Sequence, residues 1–262
     1  MKQPKFSTNK ERIEWLIANK SELIEMKRAS LKFTDLVTTP TNENTIKALN
    51  TAYKDDPTTG IIKRDIIANT YNWLDSHGDV HVGNTFGKSI NERANKVFHL
   101  HDHKHEVTAK VGKFESIQEV SVQWSDLGVN KQGTTTVLLA KSDIKEGYNK
   151  DVFKQYLEGE IDQHSVGMRY IKLDLAVNDE DYKEEYAEWN KYINEIGNKE
   201  EAEELGYFWA VKEAVLIEIS AVLMGSNELT PTIENIEPLK NTQKQEPSKD
   251  TQIDWNKVIN NF

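Results

Sequence analysis

The placement of glycine and proline divides this chain of 262 residues into three parts. All 13 glycines lie between Gly60 and Gly225, and all six prolines lie outside that interval. Glycine permits the tight turns that separate strands, whereas proline cannot donate the backbone hydrogen bond that strand and helix interiors need. We therefore predict one compact, strand-containing domain over residues 60–225, preceded by residues 1–59 and followed by residues 226–262.

The two flanks have patterns of their own. Thr8 and Glu11 have the spacing of a capping box and precede apolar residues at helical spacing, which predicts a helix over residues 8–28. Residues 29–59 are polar, contain Pro40 and Pro57, and are interpreted as a connector. Residues 226–252 are polar and contain no aromatic residue, which is typical of a disordered tail, and residues 253–259 form a short amphipathic end.

The middle part mixes extended and helical patterns. Alternating or β-branched residues predict strands over residues 119–124, 134–140 and 165–175. Apolar residues at helical spacing predict a helix over residues 151–161, and dense Glu and Lys predict a solvated helix over residues 179–206. The apolar run at residues 207–223 predicts a buried strand or hairpin. Together these patterns predict an α+β fold.

Composition narrows the classes of function. The formal net charge of -10 argues against binding to DNA or RNA, because phosphate contacts need clustered Lys and Arg. The chain has no cysteine, which excludes disulfides, thiolate metal sites and a cysteine nucleophile. No apolar segment resembles a signal peptide or approaches the roughly 20 residues that span a bilayer. We therefore expect a soluble protein with neither a nucleic acid nor a membrane as partner.

Ser165 is the candidate nucleophile. It follows the predicted helix at residues 151–161 and begins a predicted strand, a placement that permits exposure of its hydroxyl. Gly167 would let a substrate carbonyl approach the backbone closely. A serine needs a base to take its proton and an oxyanion hole for the tetrahedral intermediate. The alternative is an ordinary strand-edge serine beside a turn glycine.

Four of the seven histidines alternate within one short stretch, at positions 99, 101, 103 and 105. On a strand their side chains would share one face. Histidine is the usual general base because its pKa lies near neutrality. Two alternatives are a solvated strand and a metal site that uses His99, His101 and His103.

Glu218 lies within an apolar run where alternation places it on the same face as Ser220. A buried carboxylate is costly unless it is paired or hydrogen-bonded, and an imidazolium would satisfy it. The alternative is a structural salt bridge with a Lys or Arg.

Four blocks in order resemble the prohead (capsid maturation) serine proteases of tailed bacteriophages. The resemblance covers residues 71–233. Its blocks are a D-x-x-G-D turn at residues 75–79 with a G-x-x-F segment at 83–86, L-x-x-H at 100–103, S-x-G-M at 165–168, and E-I-S at 218–220 followed by Asn227.

The resemblance implies roles for these residues. Ser165 is the expected nucleophile, Glu218 the orienting group, and amides near Gly167 and Met168 the oxyanion donors. The base is expected to be His103, which fits the L-x-x-H register best, ahead of His101 and then His99. No cofactor and no metal is implied.

The same resemblance implies a fold and a setting. The expected fold is a mostly antiparallel, β-barrel-like core with surrounding helices, similar to the herpesvirus assembly proteases. The expected activity is endopeptidase cleavage of coat or scaffold protein, and of the protease itself, inside the immature procapsid in the host cytoplasm. A homo-oligomer is left open. The alternatives are a metal-dependent hydrolase and a non-enzymatic capsid-assembly or scaffold protein.

Overall fold

The computed structural model describes residues 4–32 and 56–233. Within these ranges the chain is a mixed α and β fold, as the sequence predicts. The helices are α1 (Asn9–Ala18), α2 (Lys20–Ala29), α3 (Gly87–Arg93), α4 (Lys150–Glu158), α5 (Lys183–Tyr192) and α6 (Lys199–Leu205). The strands are β1 (Ile61–Thr70), β2 (Asp79–His81), β3 (Phe98–His101), β4 (Lys110–Gln123), β5 (Thr134–Lys145), β6 (Gln163–Val177), β7 (Tyr207–Val222) and β8 (Thr232–Ile233).

The strands form one sheet in the order β2-β7-β3-β4-β5-β1-β8, with β6 on the other edge of β7. Most neighbours are antiparallel, but β2 and β3 run parallel to β7. Among the described residues the ladders do not close into a barrel. A single bridge from Gln163 to Pro231 links β6 to the segment that enters β8.

The N-terminal region is two helices, not the single helix predicted over residues 8–28. Thr8 caps α1 as predicted, since its hydroxyl accepts from the Glu11 amide at 3.2 Å. The break falls at Asn19, whose side-chain amide donates to the Trp15 carbonyl at 2.8 Å and so competes for helix hydrogen bonds. Ile13 and Leu16 of α1 are buried in the main core. Residues 33–55 of the predicted connector lie outside the described residues.

Lys32 joins the N-terminal region to β6. Its backbone N–H donates to the Met168 carbonyl at 3.0 Å, and its carbonyl accepts from the Met168 N–H at 3.4 Å. Its buried ammonium group contacts Asp75 and lies 2.8 Å from Asp79 Oδ2. Asp79 also binds Lys27 Nζ at 2.7 Å and accepts from the Tyr170 hydroxyl. The end of α2 and Lys32 are therefore bonded to the central sheet.

Of the two forms expected for residues 207–223, a buried strand or a hairpin, the structure shows the strand, which pairs along most of its length with β6. Two other segments in the second half differ in detail from the expectation. Residues 179–206 contain two short helices around an intervening turn. Residues 226–233 pack on the sheet, where Thr230 is fully buried and Thr232 pairs with Ile66 of β1. Residues 234–262 of the predicted tail lie outside the described residues.

None of the helices within residues 4–32 and 56–233 is long and apolar enough to cross a membrane.

Candidate functional site

The antiparallel register of β6 and β7 brings the serine and the glutamate motifs together. Ser165 lies opposite Ser220, and Gly167 lies opposite Glu218. Residues two apart in a strand point to the same face, and directly opposed residues share that face, with Cβ atoms about 5 Å apart. All four residues therefore face the same side of the sheet. Glu218 and Ser220 are fully buried, and Ser165 is 5% exposed.

Gly167 makes room for the carboxylate of Glu218. A Cβ atom at position 167 would lie 2.0 Å from Glu218 Oε1 and 2.7 Å from its carboxyl carbon. Glycine at this position is therefore explained by the glutamate across the ladder. The sequence assigned it a different role, which was to let a substrate carbonyl approach the backbone.

His103 reaches this face from a tight turn, not from a strand. Strand β3 ends at His101, and the next two residues, Asp102 and His103, have φ angles of 51° and 53°. The Asp102 N–H donates to the Ala221 carbonyl of β7 at 2.9 Å, which holds the turn against the sheet. The four alternating histidines would share one face on a continuous strand, but the backbone turns before the third of them.

His103, Glu218 and Ser220 form a closed set of hydrogen bonds. His103 Nδ1 lies 2.5 Å from Glu218 Oε1, and the Ser220 hydroxyl donates to Glu218 Oε2 at 2.6 Å. The His103 backbone N–H donates to Ser220 Oγ at 3.1 Å. Both carboxylate oxygens are therefore satisfied, which offsets the cost of burying the charge. The structural salt bridge to Lys or Arg that was the alternative for Glu218 is replaced by this imidazole pair.

The other histidines of the stretch lie elsewhere. His101 Nδ1 is 3.0 Å from Asp102 Oδ2 at the surface. His99 points to the opposite side of the sheet, where it is buried against Ser142 and Tyr156. Across residues 4–32 and 56–233, no three His, Asp or Glu side chains are grouped closely enough to hold a metal ion. The geometry thus brings His103, but neither His99 nor His101, to Glu218.

An apolar cavity of about 260 Å³ adjoins the cluster. Glu218 forms part of its wall, and the half-exposed Phe98 ring, Leu100, Ile217 and the exposed Val107 supply most of the rest. Val107 belongs to the segment that follows His103. A concave apolar surface beside a few convergent polar groups is the usual form of a small ligand or side-chain site.

The expected oxyanion donor at Met168 has a partner already. The Met168 N–H donates to the Lys32 carbonyl, as part of the bridge described above. In this conformation the amide is therefore committed to the N-terminal segment.

Ser220 is the member of the cluster that the sequence interpretation left without a role. It holds the backbone of His103 and the carboxylate of Glu218 at the same time. The signal for it was present, since the spacing of Glu218 and Ser220 places both on one strand face. The turn at Asp102 had only a weak sequence signal, which is that Asp is frequent in turns and tolerates a positive φ angle.

No protein-family model, no curated protein and no solved structure matches this chain. Its function must therefore be inferred from its own residues and their geometry.

Proposed function

We propose that this protein is a serine endopeptidase in which Ser165 is the nucleophile, His103 the general base and Glu218 the group that orients the base. The observation that carries the proposal is the short His103–Glu218 hydrogen bond on the sheet face that Ser165 shares. A serine, a base and a carboxylate arranged in this way are the elements of an activated nucleophile on many unrelated folds.

The hydrogen bond to Glu218 gives the two ring nitrogens of His103 different roles. Glu218 is an acceptor when ionised, so Nδ1 carries the proton that bonds to it, and Nε2 is the basic nitrogen. Nε2 would take the Ser165 proton as the hydroxyl attacks a peptide carbonyl, and would then deliver it to the leaving amine. The carboxylate stabilises the imidazolium that forms between these two steps.

Ser220 supports the same arrangement as a positioning residue. Its hydroxyl donates to the carboxylate while its oxygen accepts from the His103 N–H, so the turn that carries the imidazole is bonded to the strand that carries the carboxylate. Such bonds reduce the motion of a catalytic side chain and therefore the cost of reaching the reactive geometry.

The substrate and setting belong to this proposal and are supported by the ordered motifs. The resemblance to prohead proteases points to coat or scaffold protein as substrate, to self-cleavage, and to action inside the procapsid in the host cytoplasm. A fold of the herpesvirus assembly protease type is part of the same proposal. The mostly antiparallel sheet and the bridge between β6 and the segment entering β8 are compatible with it.

Mass spectrometry of intact protein tests the activity. Wild-type protein, Ser165→Ala and the exposed-serine control Ser121→Ala would each be incubated alone and with a phage coat protein as candidate substrate. We expect fragments from the wild type and from Ser121→Ala but none from a folded Ser165→Ala, because the nucleophile is missing. Fragments from folded Ser165→Ala would contradict the assignment.

Two further measurements separate the alternatives. A fluorophosphonate probe should label the wild type at Ser165, and the label should be lost in His103→Ala, because the unassisted hydroxyl is a weak nucleophile. A metal-dependent hydrolase would instead lose activity with EDTA and stay unlabelled. A non-enzymatic assembly protein would show neither labelling nor cleavage, and Ser165→Ala would not affect assembly.

A further inference from the structure

A second line of hydrogen bonds lies on the opposite face of the same strands. His164, which precedes Ser165, points to that face and is fully buried, as are Tyr156 of α4 and His99 of β3. Tyr156 OH is 2.8 Å from His164 Nε2 and 3.1 Å from His99 Nε2. The line continues from His99 Nδ1 to Ser142 Oγ at 2.8 Å, and from His164 Nδ1 to the Thr230 carbonyl at 3.4 Å.

A carbonyl lies at each end of this line, and the closer one, that of Thr230 beside His164, sets the direction of the hydrogens. A carbonyl only accepts, so Nδ1 of His164 carries its hydrogen, and Nε2 of the neutral ring accepts from the Tyr156 hydroxyl. That hydroxyl has one hydrogen and must accept from His99 Nε2–H. The remaining nitrogen of His99 then accepts from the Ser142 hydroxyl at 2.8 Å, and that hydroxyl gives up its longer contact with the Lys113 carbonyl at 3.5 Å. The two histidines are therefore opposite tautomers.

Burial supports this assignment by keeping both rings neutral. Desolvation lowers the pKa of His164 to about 3. Desolvation, together with the neighbouring His164, lowers the pKa of His99 well below its usual value. A second proton on His164 would leave two N–H donors facing the tyrosine hydroxyl, and a second proton on His99 would turn Nδ1 from an acceptor into a donor toward Ser142.

The line joins four elements at the residue next to the candidate nucleophile. Tyr156 comes from α4, His99 from β3 and Ser142 from β5, and all act on His164 of β6. The Thr230 carbonyl also accepts from the His164 backbone N–H at 3.2 Å, so one carbonyl holds both the backbone and the ring of this residue. Ser165 is attached directly to the residue that the line holds.

We infer that Tyr156 is a positioning residue for Ser165, acting through the oppositely oriented tautomers of His99 and His164. The inference rests on the proposed function for its catalytic consequence. The hydroxyl of Tyr156 joins the two rings by hydrogen bonds, and without it two buried nitrogens lose their hydrogen-bond partner. A small displacement of His164 then moves Ser165 relative to His103, and misplacement of a nucleophile by about 1 Å costs up to roughly 100-fold in rate.

Kinetics of Tyr156→Phe and Tyr170→Phe test the consequence. Tyr170 is the control because it is a buried tyrosine of β6 whose hydroxyl donates to Asp79, which is not a member of this line of hydrogen bonds. We expect Tyr156→Phe to lower kcat roughly 10- to 100-fold with KM little changed. Tyr170→Phe should lose comparable thermal stability with kcat within about two-fold of the wild type. Equal kcat values in the two variants would reduce Tyr156 to a structural residue and overturn the inference.

Long-range ¹H–¹⁵N correlation spectra of histidine-labelled wild-type protein test the line itself and require no activity. We expect the hydrogen on Nδ1 of His164 and on Nε2 of His99. The same tautomer in both rings, or a charged ring at neutral pH, would overturn the inference even if Tyr156→Phe failed to fold. Opposite tautomers together with cleavage by Ser165→Ala would instead contradict the proposed function and leave the hydrogen-bonded line intact.

Discussion

Two buried imidazoles lie on opposite faces of strands β6 and β7, and they differ in what they contact. His103, with 7% of its side chain exposed, shares its Nδ1 proton with the carboxylate of Glu218. His164 is fully buried between a tyrosine hydroxyl and a backbone carbonyl. A carboxylate stabilises a protonated ring, whereas neutral partners in a dry site oppose it. The two rings therefore differ in their partners, a carboxylate for one and neutral groups for the other, although little of either side chain is exposed.

The comparison also explains why one side of the ladder contains a glycine. Opposite Glu218, any side chain would occupy the volume of the carboxylate. On the other face the strands carry ordinary core residues such as Val166 and Ile219, which are buried in the main hydrophobic cluster. The Glu218 carboxylate therefore occupies space that a side chain at position 167 would fill, whereas the apolar face carries side chains on both strands.

Gly167→Ala should have the largest effect on this contrast. The new Cβ would displace the Glu218 carboxylate and break its bond to His103, so we expect kcat to fall by roughly 10²–10⁴-fold and stability by about 3 kcal/mol or more. Gly147→Ala is the control, since its Cβ would meet nothing within 4 Å. Cleavage assays and urea denaturation of both variants give the result. An active Gly167→Ala protein would show that the carboxylate need not stay where the structure has it.

Glu218→Gln should separate charge from shape. The amide NH₂ would face His103 Nδ1 and favour the tautomer in which Nε2 carries the hydrogen, so the ring could no longer accept the Ser165 proton. We expect kcat to fall by roughly 10²–10⁴-fold with the fold retained. Glu213→Gln on the same strand is the matched control, because its carboxylate pairs with Lys172 near the surface. Equal activity in the two variants would remove Glu218 from the mechanism.

Acid should weaken the fold through histidines that stay neutral when buried. Desolvation lowers the pKa of His164 to about 3, and desolvation together with the charge of Lys32 lowers the pKa of His81 to about 4. The unfolded chain binds these protons near pH 6.5, so the stabilisation is complete above that pH and is lost as pH falls toward the folded pKa values. We expect about 2 kcal/mol less stability per histidine at about pH 5 than at about pH 7.5, measured by urea denaturation. Equal stability at the two pH values would place these rings in contact with water.

His101→Ala should have the smallest effect. Its ring pairs with Asp102 at the surface, whereas the ring that pairs with Glu218 is that of His103, so kcat should stay within about two-fold of the wild type. His103→Ala, assayed beside it, should lose roughly 10²–10⁴-fold. The reverse order would move the base to the residue that the sequence ranked second.

The resemblance of the ordered motifs brings Ser165, His103 and Glu218 into one hypothesis, and the geometry places His103 against Glu218 on the face of Ser165. Local patterns place the S-x-G and E-I-S segments on strands, and alternation shows which residues of each strand share a face. Strands β5 and β6 and helix α4 were placed for the same reason. The catalytic roles themselves stay predictions.

Other features depended on contacts between distant residues. The parallel pairing of β3 with β7 joins residues more than 100 positions apart, and no local pattern reports it. The role of Gly167 required knowing that Glu218 lies across the ladder. The alternating histidines are compatible with a strand, but the backbone turns at Asp102. The turn is held by the Asp102 N–H, which donates to a carbonyl of β7 that is distant in sequence. The packing of α1 and Lys32 on the sheet could not be predicted either, because it also depends on residues distant in the sequence.

The bridge between Lys32 and Met168 has a practical consequence for anyone who shortens this protein. A fragment that begins at residue 60, where the glycine pattern starts, would lack both Lys27 and Lys32. Asp75 and Asp79 would then lose the ammonium groups that pair with them. It would also uncover β6 at Met168, and a bare strand edge pairs readily with other chains. Such a fragment should precipitate on purification, while a protein that retains residues 4–32 stays monodisperse.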